Sequence, residues 1–184
     1  MHISLDGYAA GPEGQMDWIC VGDEMFEAAG ARTQAADLAI YGRVTYELMQ
    51  NYWPTAAEQP NPSKHDIEHS AWYNAVSKVV VSKTMNGIEI PGIGIINKNV
   101  TDEISKLKQS SGKEIIMFGS PSLAHSLIEA NLIDDYWLLI NPVLLGLGIS
   151  LFAGLEHSVI LKLLESRTFA SGVVCVHYEA VREV

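Results

Sequence analysis

The chain carries 22 acidic against 12 basic residues, a formal charge of −10 over 184 residues, and its basic residues are scattered. A sequence-independent grip on nucleic acid needs a basic stripe, so nucleic acid is excluded as the expected partner, although a few local donors can still hold a phosphorylated ligand. Apolar residues make up 48%, enough for a core without disulfides or structural metal, and the length suits one domain spanning 1–184.

The predicted elements alternate between short apolar runs and helical patterns. Met1–Leu5 reads as the end of a strand that turns at Asp6-Gly7, and Gly11-Pro12-Glu13-Gly14 as a loop. Asp23–Gln34 has helical spacing, Asp37–Tyr41 is a short buried strand, and Thr45–Asn51 is a helix. The three prolines of Tyr52–Ser63 predict a loop. Lys64–Val76 is helical and Lys78–Ser82 a β-branched strand. Thr101–Gln109 opens on Thr-Asp-Glu, a good helix start. Glu114–Phe118 is a strand. Ser120–Asn131 is a helix with Pro121 in its first turn, and Asp135–Asn141 is a strand. Val159–Phe169, Ser171-Gly172 and Val173–Ala180 form a β-hairpin. The expectation is an α/β fold: a mixed, mostly parallel sheet with helices on both faces, closed by an antiparallel hairpin. No run is apolar over the length of a membrane span, and no charged-then-apolar leader precedes the first motif. Cys20 and Cys175 are far apart and no CxxC pair exists. A soluble, cytoplasmic protein with two ordinary thiols is expected.

Three strand ends lead into polar or glycine-rich turns, where open α/β sheets bind ligands. In Ile40-Tyr41-Gly42-Arg43-Val44-Thr45-Tyr46-Glu47, Gly42 admits close backbone approach. Arg43 offers a fork for phosphate, and Thr45 sits at the positive end of a helix. The bland alternative is a helix cap and a surface arginine. Val81-Ser82-Lys83 places a hydroxyl and an ammonium at the next strand end. Phe118-Gly119-Ser120-Pro121-Ser122-Leu123 joins a strand to a helix start that suits an anion. These do not make a Rossmann fingerprint. Gly146-Leu147-Gly148 begins like one, but Leu151 stands in place of the third glycine.

In chain order come Ser4-Leu5-Asp6-Gly7, Gly42-Arg43-Val44-Thr45-Tyr46-Glu47, Gly119-Ser120, Leu132-Ile133-Asp134-Asp135, Pro142–Phe152 and Ser171-Gly172-Val173-Val174. This series resembles the dihydrofolate reductase superfamily, in the branch of the C-terminal reductase domain of RibD-type proteins. The resemblance implies a three-layer fold and an NADPH-dependent oxidoreductase. The substrate it implies is a small heterocycle of pteridine or pyrimidine type, with 5-amino-6-(5-phosphoribosylamino)uracil reduction first and dihydrofolate or pterin reduction second. It also implies a homodimer. Carried over by motif, Gly42, Arg43 and Thr45 hold the cofactor phosphates. Ser82 and Lys83 lie beside the 2′-phosphate, Gly119, Ser120, Ser122 and Leu123 match the pyrophosphate turn, and Ala10 and Gly11 run along the nicotinamide. Leu5, Asp6, Trp18, Phe26 and Tyr46 line the substrate pocket. Asp23, five residues after Trp18, polarises the substrate or relays a proton. Its structural alternative is a helix cap. Where dihydrofolate reductases usually carry two glycines, this chain has Gly119-Ser120. The Pro-Cys-x-x-Cys zinc segment of a bifunctional deaminase-reductase is missing.

Two readings of other classes compete. His65-Asp66-Ile67-Glu68-His69 spells H-x-x-E-H, which on a helix brings two histidines and a glutamate to one face for zinc; the absence of a third ligand argues against a metal. The other is a non-catalytic nucleotide-binding homodimer, with the hairpin and Leu138–Leu151 as interface.

Overall fold

The computed structural model describes residues 1–110 and 112–182. The chain divides into two compact units. One is Met1–Gly22 with Pro121–Val184; the other is Asp23–Ser120. Among the described residues no helix is long and apolar enough to cross a membrane.

In the first unit, β1 (His2–Ser4) pairs in parallel with β7 (Asp135–Asn141). The hairpin of β9 (Leu161–Thr168) and β10 (Val174–Ala180) adds to β7 antiparallel, giving the order β1-β7-β10-β9. A two-stranded piece joins β2 (Tyr8–Ala10) to β8 (Ile149–Ser150), and α5 (Pro121–Glu129) buries Leu123, Ala124, Leu127 and Ile128. Asn141, fully buried at the end of β7, ties this unit together. Its side-chain oxygen accepts from the Cys20 N–H (2.9 Å). Its amide donates to the Ile3 (3.2 Å) and Leu139 (3.0 Å) carbonyls and lies 3.3 Å from His2 Nδ1. Asp6 does the same for the 142–148 loop. Its carboxylate accepts from the Ser4 hydroxyl (2.6 Å) and from the Gly146 (2.7 Å) and Leu145 (3.1 Å) N–H groups. The Ser4 bond first, then those two backbone donors, hold its carboxyl below the usual range.

The second unit is a parallel sheet ordered β5-β4-β3-β6. Its strands are β3 (Ala36–Gly42), β4 (Ser77–Val81), β5 (Ile93–Ile96) and β6 (Glu114–Met117). Its helices are α1 (Asp23–Ala35), α2 (Arg43–Tyr52), α3 (Lys64–Ala75) and α4 (Val100–Gln109). Ala39, Tyr41, Tyr46, Tyr73, Val76, Val80 and Met85 form its core. Ser63 and Asp66 cap α3 reciprocally, which fixes its start.

Helices and strands follow the hydrophobic pattern with shifts of a residue or two at their ends. The segment expected to be loop, Tyr52–Ser63, contains a 3-10 helix over Trp53–Glu58, because Pro54 falls in its first turn where no N–H is needed. Strand β5 was not foreseen. It is short, and Gly94 at its second position suits close passage of β4, since a Cβ there would stand 3.2 Å from Val79 Cγ2.

Candidate functional site

The strand order of the second unit locates a site by topology. The chain lays down β3, β4 and β5 in one direction, then returns to the other flank of β3 with β6. Ligands of open parallel sheets bind at the carboxyl ends where the order reverses. Here that point lies between Gly42, the last residue of β3, and Gly119-Ser120, which follow β6.

These residues are joined by side-chain hydrogen bonds. The Gly42 N–H donates to Ser120 Oγ (2.7 Å), and the Ser120 hydroxyl donates to Thr45 Oγ1 (2.8 Å). A Cβ on Gly42 would stand 2.7 Å from Ser120 Oγ, so only glycine fits the approach. Gly119 and Ser120 both have left-handed backbones, with φ +56 and +57, and no peptide bond among those described is cis. Left-handed geometry costs a serine about 1 kcal/mol or more, and its two hydrogen bonds hold it there. The cap of α2 is Gly42, extended and without a side-chain cap bond. The first-turn N–H groups of α2 are therefore left for an anion. Arg43, exposed, is bound by both Glu47 carboxylate oxygens at 2.9 and 3.0 Å. Lys83 is exposed beyond the end of β4.

Several expected residues sit otherwise. The Ser82 hydroxyl is buried and spent on Thr84, through the hydroxyl at 3.1 Å and the N–H at 3.3 Å, so it offers nothing to a phosphate as it stands. Tyr46 is a core residue, 6% exposed, and not a pocket wall. Its neighbour Thr45 faces Ser120, and the next helix position turns about 100° into the core. Asp23 is the first residue of α1 and exposed, so the apolar surroundings expected around its carboxylate are not found. In the first unit, Leu123 is buried in the apolar face of α5 while Ser122 is exposed. Ala10 is buried in β2. Gly11 is held in a turn by Gln15, whose Oε1 would stand 2.4 Å from a Cβ at Gly11. Leu5 is exposed, and Trp18, half-buried, donates its indole N–H to the Gln15 carbonyl. Asp6 is occupied by the 142–148 loop, as above.

The H-x-x-E-H segment is an aromatic packing element. His65 stacks on Phe26 at 4.0 Å. His69 lies against Trp53 at 4.0 Å and Trp72 at 5.1 Å, while Glu68 pairs with Lys64. Among the described residues, the ligand-type atoms close enough to share an ion belong to Glu129, Glu156 and His157 instead. No signal in the sequence distinguished stacking histidines from ligating ones. Burial pushes the His69 pKa down from 6.5 to about 4. The folded chain keeps this ring neutral, whereas the unfolded chain protonates it below about pH 6.5. Stability from His69 is therefore complete above about pH 6.5 and falls by roughly 3 kcal/mol as pH drops toward 4. Urea unfolding of His69→Phe is expected to lose less stability than the parent chain between about pH 7 and pH 4.5; equal slopes would contradict this burial argument.

The parallel sheet, the hairpin and the turn chemistry define an α/β reductase-like fold, and the chain belongs to the RibD C-terminal domain family, whose profile matches residues 1–175. It is 36% identical over 178 residues to the uncharacterized protein YyaP of Bacillus subtilis (strain 168), covering 96% of this chain and 90% of that one. Three solved structures share its fold. A Shewanella sp. PV-4 protein, provisionally named for riboflavin biosynthesis, has a TM-score of 0.72 at 23% identity, covering 99% of this chain and 97% of that one. The diaminohydroxyphosphoribosylaminopyrimidine deaminase/5-amino-6-(5-phosphoribosylamino)uracil reductase of Thermotoga maritima has 0.67 at 14% identity, covering 98% and 55%. Dihydrofolate reductase from Enterococcus faecalis, complexed with NADP(H), has 0.60 at 14% identity, covering 97% and 92%.

Proposed function

We propose that this chain is an NADPH-dependent reductase of a small pyrimidine-type heterocycle, of the 5-amino-6-(5-phosphoribosylamino)uracil reductase kind. The observation that carries this reading is the Gly42–Ser120–Thr45 network at the strand-order reversal, beside the uncapped start of α2 and Arg43. Family membership and the NADP(H) complex of the dihydrofolate reductase neighbour support it.

When bound, NADPH supplies the hydride. The protein's part is to hold and orient. Gly42 and Gly119 let the backbone close on the phosphates. Thr45 and the α2 N–H groups receive them, and Arg43 exchanges its Glu47 partner for phosphate oxygens. Lys83 meets the 2′-phosphate as a point charge, with Ser82 held back by Thr84. Ala10, Gly11, Ser122 and Leu123 complete the cofactor set through their backbone, and Leu5, Trp18 and Phe26 bound the substrate.

Asp23 is the proton relay of this proposal. Its position at the start of α1 leaves the carboxylate exposed to a substrate. Asp23→Asn is expected to lower turnover of the pyrimidine substrate roughly a hundredfold with NADPH affinity unchanged. NADPH oxidation in stopped flow, beside a binding titration, checks this. Undiminished turnover would remove Asp23 from the chemistry and leave it as the first residue of a helix.

A further inference from the structure

The hairpin ends the first unit's sheet on an unusually open strand. β9 is the outermost strand in the order β1-β7-β10-β9, and seven of its eight residues are exposed. Leu163 and Leu164 are 51% and 45% exposed, and no proline interrupts Leu161–Thr168. Long exposed edges pair with other strands unless something blunts them. The one irregularity is a bulge. His177 stands opposite Glu165 and Tyr178 opposite Leu163, so Leu164 is the extra residue. From Glu165 to Thr168 the strand runs in regular register.

We propose that a second copy of this chain adds to β9 edge to edge and antiparallel, with the twofold axis at Ser166. The choice of occupant comes from charge. Residues directly opposite each other in an antiparallel pair must both turn their N–H toward the partner or both away. A strand meeting its own copy is therefore centred on a residue. Centring on Glu165 sets two glutamates face to face, and centring on Arg167 sets two arginines face to face; like charges directly opposite are destabilising. Centring on Ser166 sets Glu165 opposite Arg167 of the second copy, twice, and Leu164 opposite Thr168. Glu165 and Arg167 lie on one face of β9, across from His177 and Cys175 of β10. Among the described residues neither enters an ion pair within the chain; the Arg167 guanidinium lies over the Phe169 ring, 4.9 Å from its centre.

The test is sedimentation velocity of the full chain over a range of concentrations, with no nucleotide present. Its outcome is therefore separate from that of the reductase reading. A dimer is expected. Glu165→Arg and Arg167→Glu are each expected to weaken it about tenfold or more, since each replaces two attractive pairs by two repulsive ones. The double variant E165R/R167E is expected to restore it, because exchanging the charges regenerates both pairs. All these side chains are exposed, so circular dichroism should match the parent. S166C adds a direct reading: its two sulfurs meet on the axis at the spacing a disulfide accepts, so mild oxidation should give a cross-linked dimer that the parent chain does not. A monomer at every concentration would overturn the proposal. So would a dimer indifferent to the single reversals, which would place the interface elsewhere, or a double variant that stays as weak as the singles.

Discussion

Gly42→Val is expected to weaken NADPH binding by roughly a hundredfold, with the fold intact. Gly42 has φ −76 and ψ 161, an ordinary extended backbone that valine adopts freely. The substitution therefore acts through space alone. The new Cβ would stand 2.7 Å from Ser120 Oγ and 3.1 Å from Ser120 Cβ. Ser120 cannot simply turn aside: its hydroxyl is fixed between the Gly42 N–H and Thr45, and its own backbone is left-handed. Displacing it breaks both bonds and opens the only side-chain link between the two turns that flank the strand-order reversal. A hundredfold corresponds to about 2.7 kcal/mol, the size of one or two lost hydrogen bonds to a charged group. Nucleotide fluorescence titration of the variant checks this. Parent-like affinity would mean that the turn does not contact the cofactor.

The second large effect falls on stability. Asn141→Leu keeps the volume and removes the polar atoms. It leaves the Cys20 N–H without its acceptor and the Ile3 carbonyl without a side-chain donor, in a site that is fully buried. An unsatisfied buried group costs about 1–3 kcal/mol, so a loss of about 3 kcal/mol is expected. In a chain of this length that lowers Tm by roughly 6–12 °C. Differential scanning calorimetry is the check, and a Tm within about 2 °C of the parent would show that the carboxamide is not what joins Cys20 to β1 and β7.

Much of this was legible in the residues. Lys78–Ser82 and Asp37–Tyr41 announce buried parallel strands because β-branched and aromatic residues crowd them. Ser171-Gly172 announces the hairpin because Gly172 must take φ +83. The glycine at each strand end pointed to the site for the same reason. The side-chain partnerships were not legible, because they depend on residues distant in sequence. Ser120 reaches Gly42 and Thr45 across 78 and 75 positions. The Ser82 hydroxyl looked available until Thr84 was seen to hold it. Tyr46 and Leu123 were placed in the site because they adjoin motif residues, yet a helix turns its next position away, and both face a core. The histidines at 65 and 69 have ligand spacing, and only their neighbours Phe26, Trp53 and Trp72 reveal that they pack. Strand β9 gave no sign in its hydrophobic pattern of being exposed on almost its whole length.

The most direct measurement is a fluorescence titration of the purified chain with NADPH, with NADH in parallel. Saturable micromolar NADPH binding, tighter than for NADH, is the predicted result, since Arg43 and Lys83 offer positive charge that only the additional phosphate of NADPH can use. No binding of either nucleotide up to about millimolar concentration would contradict the account of the Gly42–Ser120 turn as a cofactor site.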